Sequence, residues 1–254
     1  MKLDYFDLLS PEPIYVYKIG SIVSPKLRDI SKNGGIKTYY NYLSTLFMEP
    51  KTYFSLMNKE QEFESLSDKE KEQLNIFDLL VSENESIKYL EKILNFFIHE
   101  TVTYSHEYNA FLVYNNENNL VGIISNENYY EVCNLIFQRN NIKKETTEDL
   151  SKIKSKKALE IMKKLQKGRE KKAKTTKADE KMEIGNIVSA VANKSHSLNI
   201  LNVWDLTVYQ IWDAFSRLVN NNIYDIQSMG VAAWGNKDNH FDSTAWFKRI
   251  DNEN

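Results

Sequence analysis

His99 and His106 are the first residues to weigh for chemistry, because each precedes a glutamate and they stand seven positions apart. Imidazole and carboxylate are common zinc ligands and common groups in acid–base catalysis. On one helical face seven positions separate the two rings by about 10.5 Å along the axis, too far to share a metal without a ligand between them. Thr103 fills that intermediate position, so no metal site is expected. Cys133 lies in the apolar run YYEVCNLIF and reads as a small buried hydrophobe; as the single cysteine it excludes a disulfide within the chain. There is no phosphate loop, no Gly-x-Gly-x-x-Gly, no Gly-x-Ser-x-Gly and no Cys-x-x-Cys. Carboxylates are plentiful, yet none forms a pair set apart by an apolar environment, as acid–base catalysis requires. The expectation is a protein with no catalytic set, no cofactor and no metal, and hence not an enzyme.

With so little reactive chemistry, the elements themselves carry the reading. A chain of 254 residues that is 42% apolar and 12% aromatic can bury a sizeable core. Its 33 basic and 35 acidic residues nearly cancel, so no whole-molecule field draws it to nucleic acid or to an anionic membrane. No apolar stretch is long enough to span a bilayer, and MKLDYFDLLSPEP has acidic residues and prolines where a signal peptide needs a basic start and an apolar core. A reducing cytoplasm is the expected compartment.

The expected class is α+β, predominantly α-helical. In PIYVYKIGSIVSP two short β-branched and aromatic runs flank Gly20-Ser21, which suits a hairpin turn. Ser24-Pro25 has the form of an N-cap with proline at the first helical position, and Asn33-Gly34-Gly35 punctuates the chain before the next helix. That helix, IKTYYNYLSTLFM, repeats apolar residues at Ile36, Tyr39, Tyr40, Leu43, Leu46 and Phe47. Ser67 and Glu70 have capping-box spacing ahead of DKEKEQLNIFDLLV. In SIKYLEKILNFFIHETV, Ile87, Leu90, Leu94, Phe97 and Ile98 share a face. AFLVY and LVGII enclose NNENN as a second hairpin, after which Ser125 or Asn126 is placed to cap ENYYEVCNLIFQRN.

Residues 151–181 carry thirteen Lys or Arg against four Asp or Glu, a formal +9 that leaves −11 on the rest of the chain. Lysines that neutralise phosphates bind with a steep salt dependence, but here they alternate with Ala, Leu, Ile and Met and no aromatic ring on which a base could stack. The segment reads as a basic linker or extended helix between an N-terminal hairpin-plus-helical domain, 1–150, and a C-terminal helical subdomain, 182–254. Nucleic-acid binding through 151–181 is the lesser alternative.

The subdomain holds NVWDLTVYQIWDAFSRLVNNNIYDIQSMGVAAWGNK, with three of the four tryptophans. Asp205 is a plausible N-cap, and Val208, Ile211, Trp212, Phe215, Leu218 and Val219 form one stripe opposite Gln210, Asp213, Ser216, Arg217 and Asn220. A second helix follows, ended by Gly235. Asp242 then caps STAWFKRI, with Phe241 and Trp246 spaced as a hydrophobic staple. Three short helices joined by tight turns, with the aromatics as their core, are expected.

Two stretches add a resemblance. LLSPEPIYVYKIGSIVSPKLRDIS with YYNYLSTLFMEPKTYF, and SLNILNVWDLTVYQIWDAFSRL with YDIQSMGVAAWG, together resemble proteins of the tail-gene region of phages and prophages of Gram-positive bacteria, a class usually regarded as tail assembly chaperones. The resemblance covers roughly the first 57 and the last 60 residues. It implies a small β element followed by helices, residence in the cytoplasm of the bacterial host cell, and binding to the tape measure protein or another tail protein while the tube assembles. The basic segment is not a feature of that class, which leaves a structural virion protein as the alternative and self-association as a further use of the same surface. Tyr39, Tyr40, Tyr209 and Trp234, on tyrosine- and tryptophan-rich helical stripes, are the candidate partner-binding anchors.

Overall fold

A computed structural model describes residues 1–142, 183–236 and 241–250. The basic segment 151–181, and the reading of it as linker or helix, lies outside the described residues. The fold is α+β and mostly helical, with two small antiparallel sheets among the described residues. The chain divides into two compact units, Met1–Ile142 with Trp204–Gln210, and Lys143–Val203 with Ile211–Asn254.

The first unit opens with helix α1 (Tyr5–Leu9), capped by the Asp4 carboxylate on the Asp7 amide. Strands β1 (Ile14–Val16) and β2 (Gly20–Ile22) then pair with Val16 opposite Gly20. The hairpin turn is therefore Tyr17-Lys18-Ile19 and not Gly20-Ser21. Lys18 takes the left-handed conformation at φ 63°, and Gly20 at φ 111° starts the returning strand. Helix α2 (Leu27–Lys32) starts later than Ser24-Pro25 predicts. The Ser24 hydroxyl donates to the Arg139 carbonyl at 2.8 Å, and the Leu27 amide is satisfied by the Leu206 carbonyl at 3.0 Å, so a β-like bridge stands where a side-chain cap was expected.

Gly34, left-handed at φ 89°, turns the chain into α3 (Gly35–Leu46). Its inward face is Tyr39, Tyr42, Leu43 and Leu46, while Tyr40 and Phe47 are exposed. The stripe is thus rotated toward Tyr42 relative to the sequence reading. Short helices α4 (Pro50–Leu56), α5 (Glu60–Ser65) and α6 (Asp68–Gln73) follow. The capping box forms at the start of α6, with the Ser67 hydroxyl and the Glu70 carboxylate each serving the other's amide. The expected single helix over 68–81 is split: Leu74 is extended, and the Asn75 side chain accepts from Phe77 N at 2.9 Å to start α7 (Ile76–Leu80) afresh.

Helix α8 (Asn84–Phe97) buries Ile87, Leu90, Ile93, Leu94 and Phe97. It stops five residues before the sequence reading ends it, because β-branched Thr101, Val102 and Thr103 enter strand β3 (Thr101–Ser105). Asn95 fixes the corner, donating to Val102 O at 2.7 Å and accepting from Val102 N at 3.0 Å. Strands β4 (Ala110–Tyr114) and β5 (Leu120–Ile124) are the expected hairpin around NNENN, here the second and third strands of a sheet ordered β3-β4-β5. The last helix of the unit's N-terminal stretch is α9 (Tyr129–Arg139). Neither Ser125 nor Asn126 caps it; Asn128 holds the N-cap position, with its carboxamide bonded back to Ser125 N and Ile123 O.

Phe77, Leu90, Phe97, Phe111, Val113, Leu135 and Ile136 are fully buried and form the centre of this unit. The hairpin tip closes onto the three-stranded sheet. Ile123 N donates to Lys18 O at 2.9 Å, and a Cβ on Gly122 would lie 2.7 Å from both the carbonyl carbon and the oxygen of Ile19. Only glycine permits that approach.

The remaining elements among the described residues are α10 (Ile184–Lys194), which buries Ile187, Val188 and Val191, a 3₁₀ turn (Val203–Asp205), and α11 (Val208–Trp234). Helix α11 is one continuous element of 27 residues in place of two short ones. Its cap is a reciprocal pair, Gln210 N to Thr207 Oγ1 at 3.2 Å and Thr207 N to Gln210 Oε1 at 3.0 Å. Asp205, expected as the cap, is held instead by Arg28 Nε at 3.0 Å. Gly235, at φ 78°, ends the helix as expected. Residues 241–250 form turns and not a third helix.

Candidate partner-binding surface

The four candidate anchors fall in different environments. Tyr39 is 3% exposed, and its hydroxyl donates to Asn140 Oδ1 at 2.8 Å inside the core. Burial pushes its phenol far above the ordinary value. It is a core residue whose polar end is satisfied internally, not a surface anchor as expected. Tyr40, with its ring 5.6 Å from that of Tyr39, is exposed. Tyr209 is half-buried on the first turn of α11, beside the capping pair. Trp234, the last residue of α11, is 79% exposed.

Helix α11 supplies a continuous apolar face. Val208, Trp212, Phe215, Val219, Ile223, Ile226, Gly230 and Trp234 recur at three- and four-residue steps and therefore share one side of the helix. Burial falls steadily along it. Val208 is buried, Trp212 and Phe215 are half-buried with their rings edge to face at 6.5 Å, and Val219, Ile223, Ile226 and Trp234 are exposed. Val208 and Ile211 are core, as the sequence predicts. The expectation that the aromatics are mostly core fails, since Trp204, Trp234 and Trp246 lie at the surface and Trp212 and Phe215 are half-buried.

The polar side of α11 is occupied. Arg217 Nη1 donates to Lys248 O at 2.7 Å, Asn220 Nδ2 to Ala245 O at 3.0 Å, and the Tyr224 hydroxyl to Ser243 O at 3.4 Å. Their order shows that residues 243–248 run antiparallel to the helix. Phe241 packs on the Tyr224 ring at 5.4 Å and Trp246 on Phe247 at 5.1 Å, in place of the expected staple between Phe241 and Trp246. Asp242 stabilises the turn: hydrogen bonds from Lys248, then Thr244, hold its carboxyl down to about 2.

An exposed isoleucine or tryptophan withdrawn from water gains roughly 1.5–3 kcal/mol, so a face of several such residues is suited to covering by another apolar surface. Sequence periodicity found the start of this face and missed its continuation, because Asn220-Asn221-Asn222 has low helix propensity and suggests a break.

The histidines are not on a helical face at all. His99 follows the end of α8, with its amide bonded to Ser21 O, and His106 sits in the turn after β3 with its ring edge to face against Tyr104. Among the described residues no group of three or more His, Cys, Asp or Glu side chains could hold a metal ion. Among the same residues no helix is long and apolar enough to cross a membrane. Cys133 is buried, as its apolar run predicts.

No curated protein matches the chain, and no solved structure matches it. Residues 171–251, which include α10, α11 and the turns after them, are similar to the YomV second domain, a phage-associated family.

Proposed function

We propose that this protein is a phage tail assembly chaperone, acting in the cytoplasm of the bacterial host by binding the tape measure protein while the tail tube assembles around it. The observation that carries the reading is the exposed apolar face of α11 from Val219 to Trp234. A long helical client buries its own apolar stripe against such a face in helix-in-groove fashion, with a few aromatic and aliphatic anchors supplying most of the affinity. The similarity of residues 171–251 to a phage-associated domain supports a phage setting, and the resemblance of both ends to tail assembly chaperones supports the client. The role is binding, not catalysis. Ile223, Ile226 and Trp234 are the anchors, with Tyr40 and Tyr209 as contributors elsewhere on the surface.

Co-expression with the tape measure protein tests this. The client is expected to gain soluble yield and to co-purify, and Ile226→Ser with Trp234→Ala is expected to reduce both while the variant stays folded. Mass spectrometry of purified particles separates the alternative. Stoichiometric incorporation into particles, with no co-purification and no gain in solubility, overturns the chaperone reading in favour of a virion component.

A further inference from the structure

A separate groove lies in the first unit, about 290 Å³ in volume and lined by Arg28, Ser31 and Lys32 of α2 and by the Trp204 indole. Ser31 and Lys32 lie three and four positions after Arg28, so both neighbour it on the helix surface. The volume is that of one or two side chains and falls below the usual size of a cofactor site. Arg28 uses Nε for Asp205 Oδ1 at 3.0 Å, and among the described residues no acceptor is bonded to its Nη groups. Pairing through Nε fixes the guanidinium plane and leaves its outer edge as a fork matched to two oxygens of a carboxylate. Lys32 adds a second cation, Ser31 a hydroxyl, and Trp204 a partly exposed ring.

We propose that this groove binds an acidic peptide segment, with a Glu or Asp carboxylate on the Arg28 fork and Lys32 and the neighbouring apolar side chain against Trp204. The local charge favours a peptide over a nucleic acid. Lys26, Arg28 and Lys32 stand near Asp29 and Asp205, a net of about one positive charge, which suits one carboxylate and not the continuous run of phosphates that a nucleic acid presents. The site is independent of the α11 face and of the identity of the client bound there.

The test is a titration of the full chain, read at the Trp204 indole N–H resonance and assigned with Trp204→Phe. The probes are the blocked peptide acetyl-Phe-Glu-Glu-amide, its Phe-Gln-Gln counterpart and a single-stranded oligothymidylate. The acidic peptide is expected to shift the resonance saturably and the glutamine peptide at least tenfold more weakly. Arg28→Lys keeps the charge but removes the fork, and is expected to weaken binding about tenfold. Lys32→Gln leaves the Arg28–Asp205 pair intact and is expected to weaken it several-fold with no change in thermal midpoint. Equal response to both peptides, no saturable shift, or tighter binding of the oligothymidylate overturns the proposal.

Discussion

Arg139 donates from Nη2 to the carbonyl oxygen of Glu12 at 2.8 Å, joining the end of α9 to a residue 127 positions earlier. Its Nη1 donates to the carbonyls of Asp7 and Ser10, so one guanidinium gathers three carbonyl oxygens around the C-terminus of α1. The side chain is fully buried and bonded to carbonyls alone, and desolvation lowers its pKa from the ordinary arginine value. Arg139→Met is expected to leave those carbonyls without donors, at about 1–3 kcal/mol for each group that water cannot reach. An unfolding free energy, from denaturant titration, lowered by a total of about 3 kcal/mol or more is the expected result, and a change below about 1 kcal/mol shows that the N-terminal segment re-solvates freely.

Gly122→Ala tests the closure of the hairpin onto the sheet. The new methyl would sit 2.7 Å from Ile19 backbone atoms, which cannot yield as a flexible side chain can. A loss of about 1–3 kcal/mol, the usual cost of overpacking, is expected. Amide exchange localises it: the Ile123 amide, bonded to Lys18 O at 2.9 Å, should lose protection before the amides of α8.

Along α11 the expected response to truncation follows the burial gradient. Ile211→Ala, at a fully buried position, is expected to cost about 2–5 kcal/mol. Trp212→Ala and Phe215→Ala, at half-buried positions, are expected to cost less than the roughly 3–5 kcal/mol of a core aromatic. Ile226→Ser and Trp234→Ala are expected to stay within about 0.5 kcal/mol of the parent. Thermal unfolding of the series checks this, and a large loss at Ile226 shows that the exposed half of the face is covered within the chain.

Asp242 has a depressed pKa, so whatever it adds to the C-terminal turns is present above its ordinary value of 3.8 and is lost as pH falls toward about 2. Carboxyl chemical shifts are expected to give a midpoint near 2 in the parent. Lys248→Ala removes the largest cause and is expected to move that midpoint up toward 3.8. Because the group is solvent-exposed, the global midpoint is expected to change little.

The sequence was most readable where one local signal decided the outcome. Periodicity located α3 and α8, spacing located the Ser67–Glu70 capping box, and alternating apolar runs around NNENN located β4 and β5. Strand β3 was hidden because Thr101 and Val102 follow a helical stripe without punctuation, and only pairing with Tyr114 and Val113 makes them a strand. Asp205 was the expected cap, but Arg28, 177 positions away, engages it, and the cap falls to Thr207 two residues on. Of the candidate anchors, Tyr39 and Tyr40 look alike in the sequence, and the position of Asn140 separates the buried ring from the exposed one. Trp234 lies at the surface, at the end of α11 beside the helix-ending Gly235.

The hairpin of β1 and β2 also constrains how the chain matures during its synthesis. Two paired strands of three residues are marginal in water on their own. The partners that secure them are Phe97 O for the Val23 amide, the His99 amide for Ser21 O, and the Ile123 amide for Lys18 O. At roughly 5–20 residues per second, the last of these leaves the ribosome about 5–20 s after the hairpin does. Throughout that interval Ile14, Val16, Ile19 and Ile22 have no finished sheet to join. The nascent chain thus carries a β-prone apolar segment, and a pause in translation within that interval prolongs its exposure.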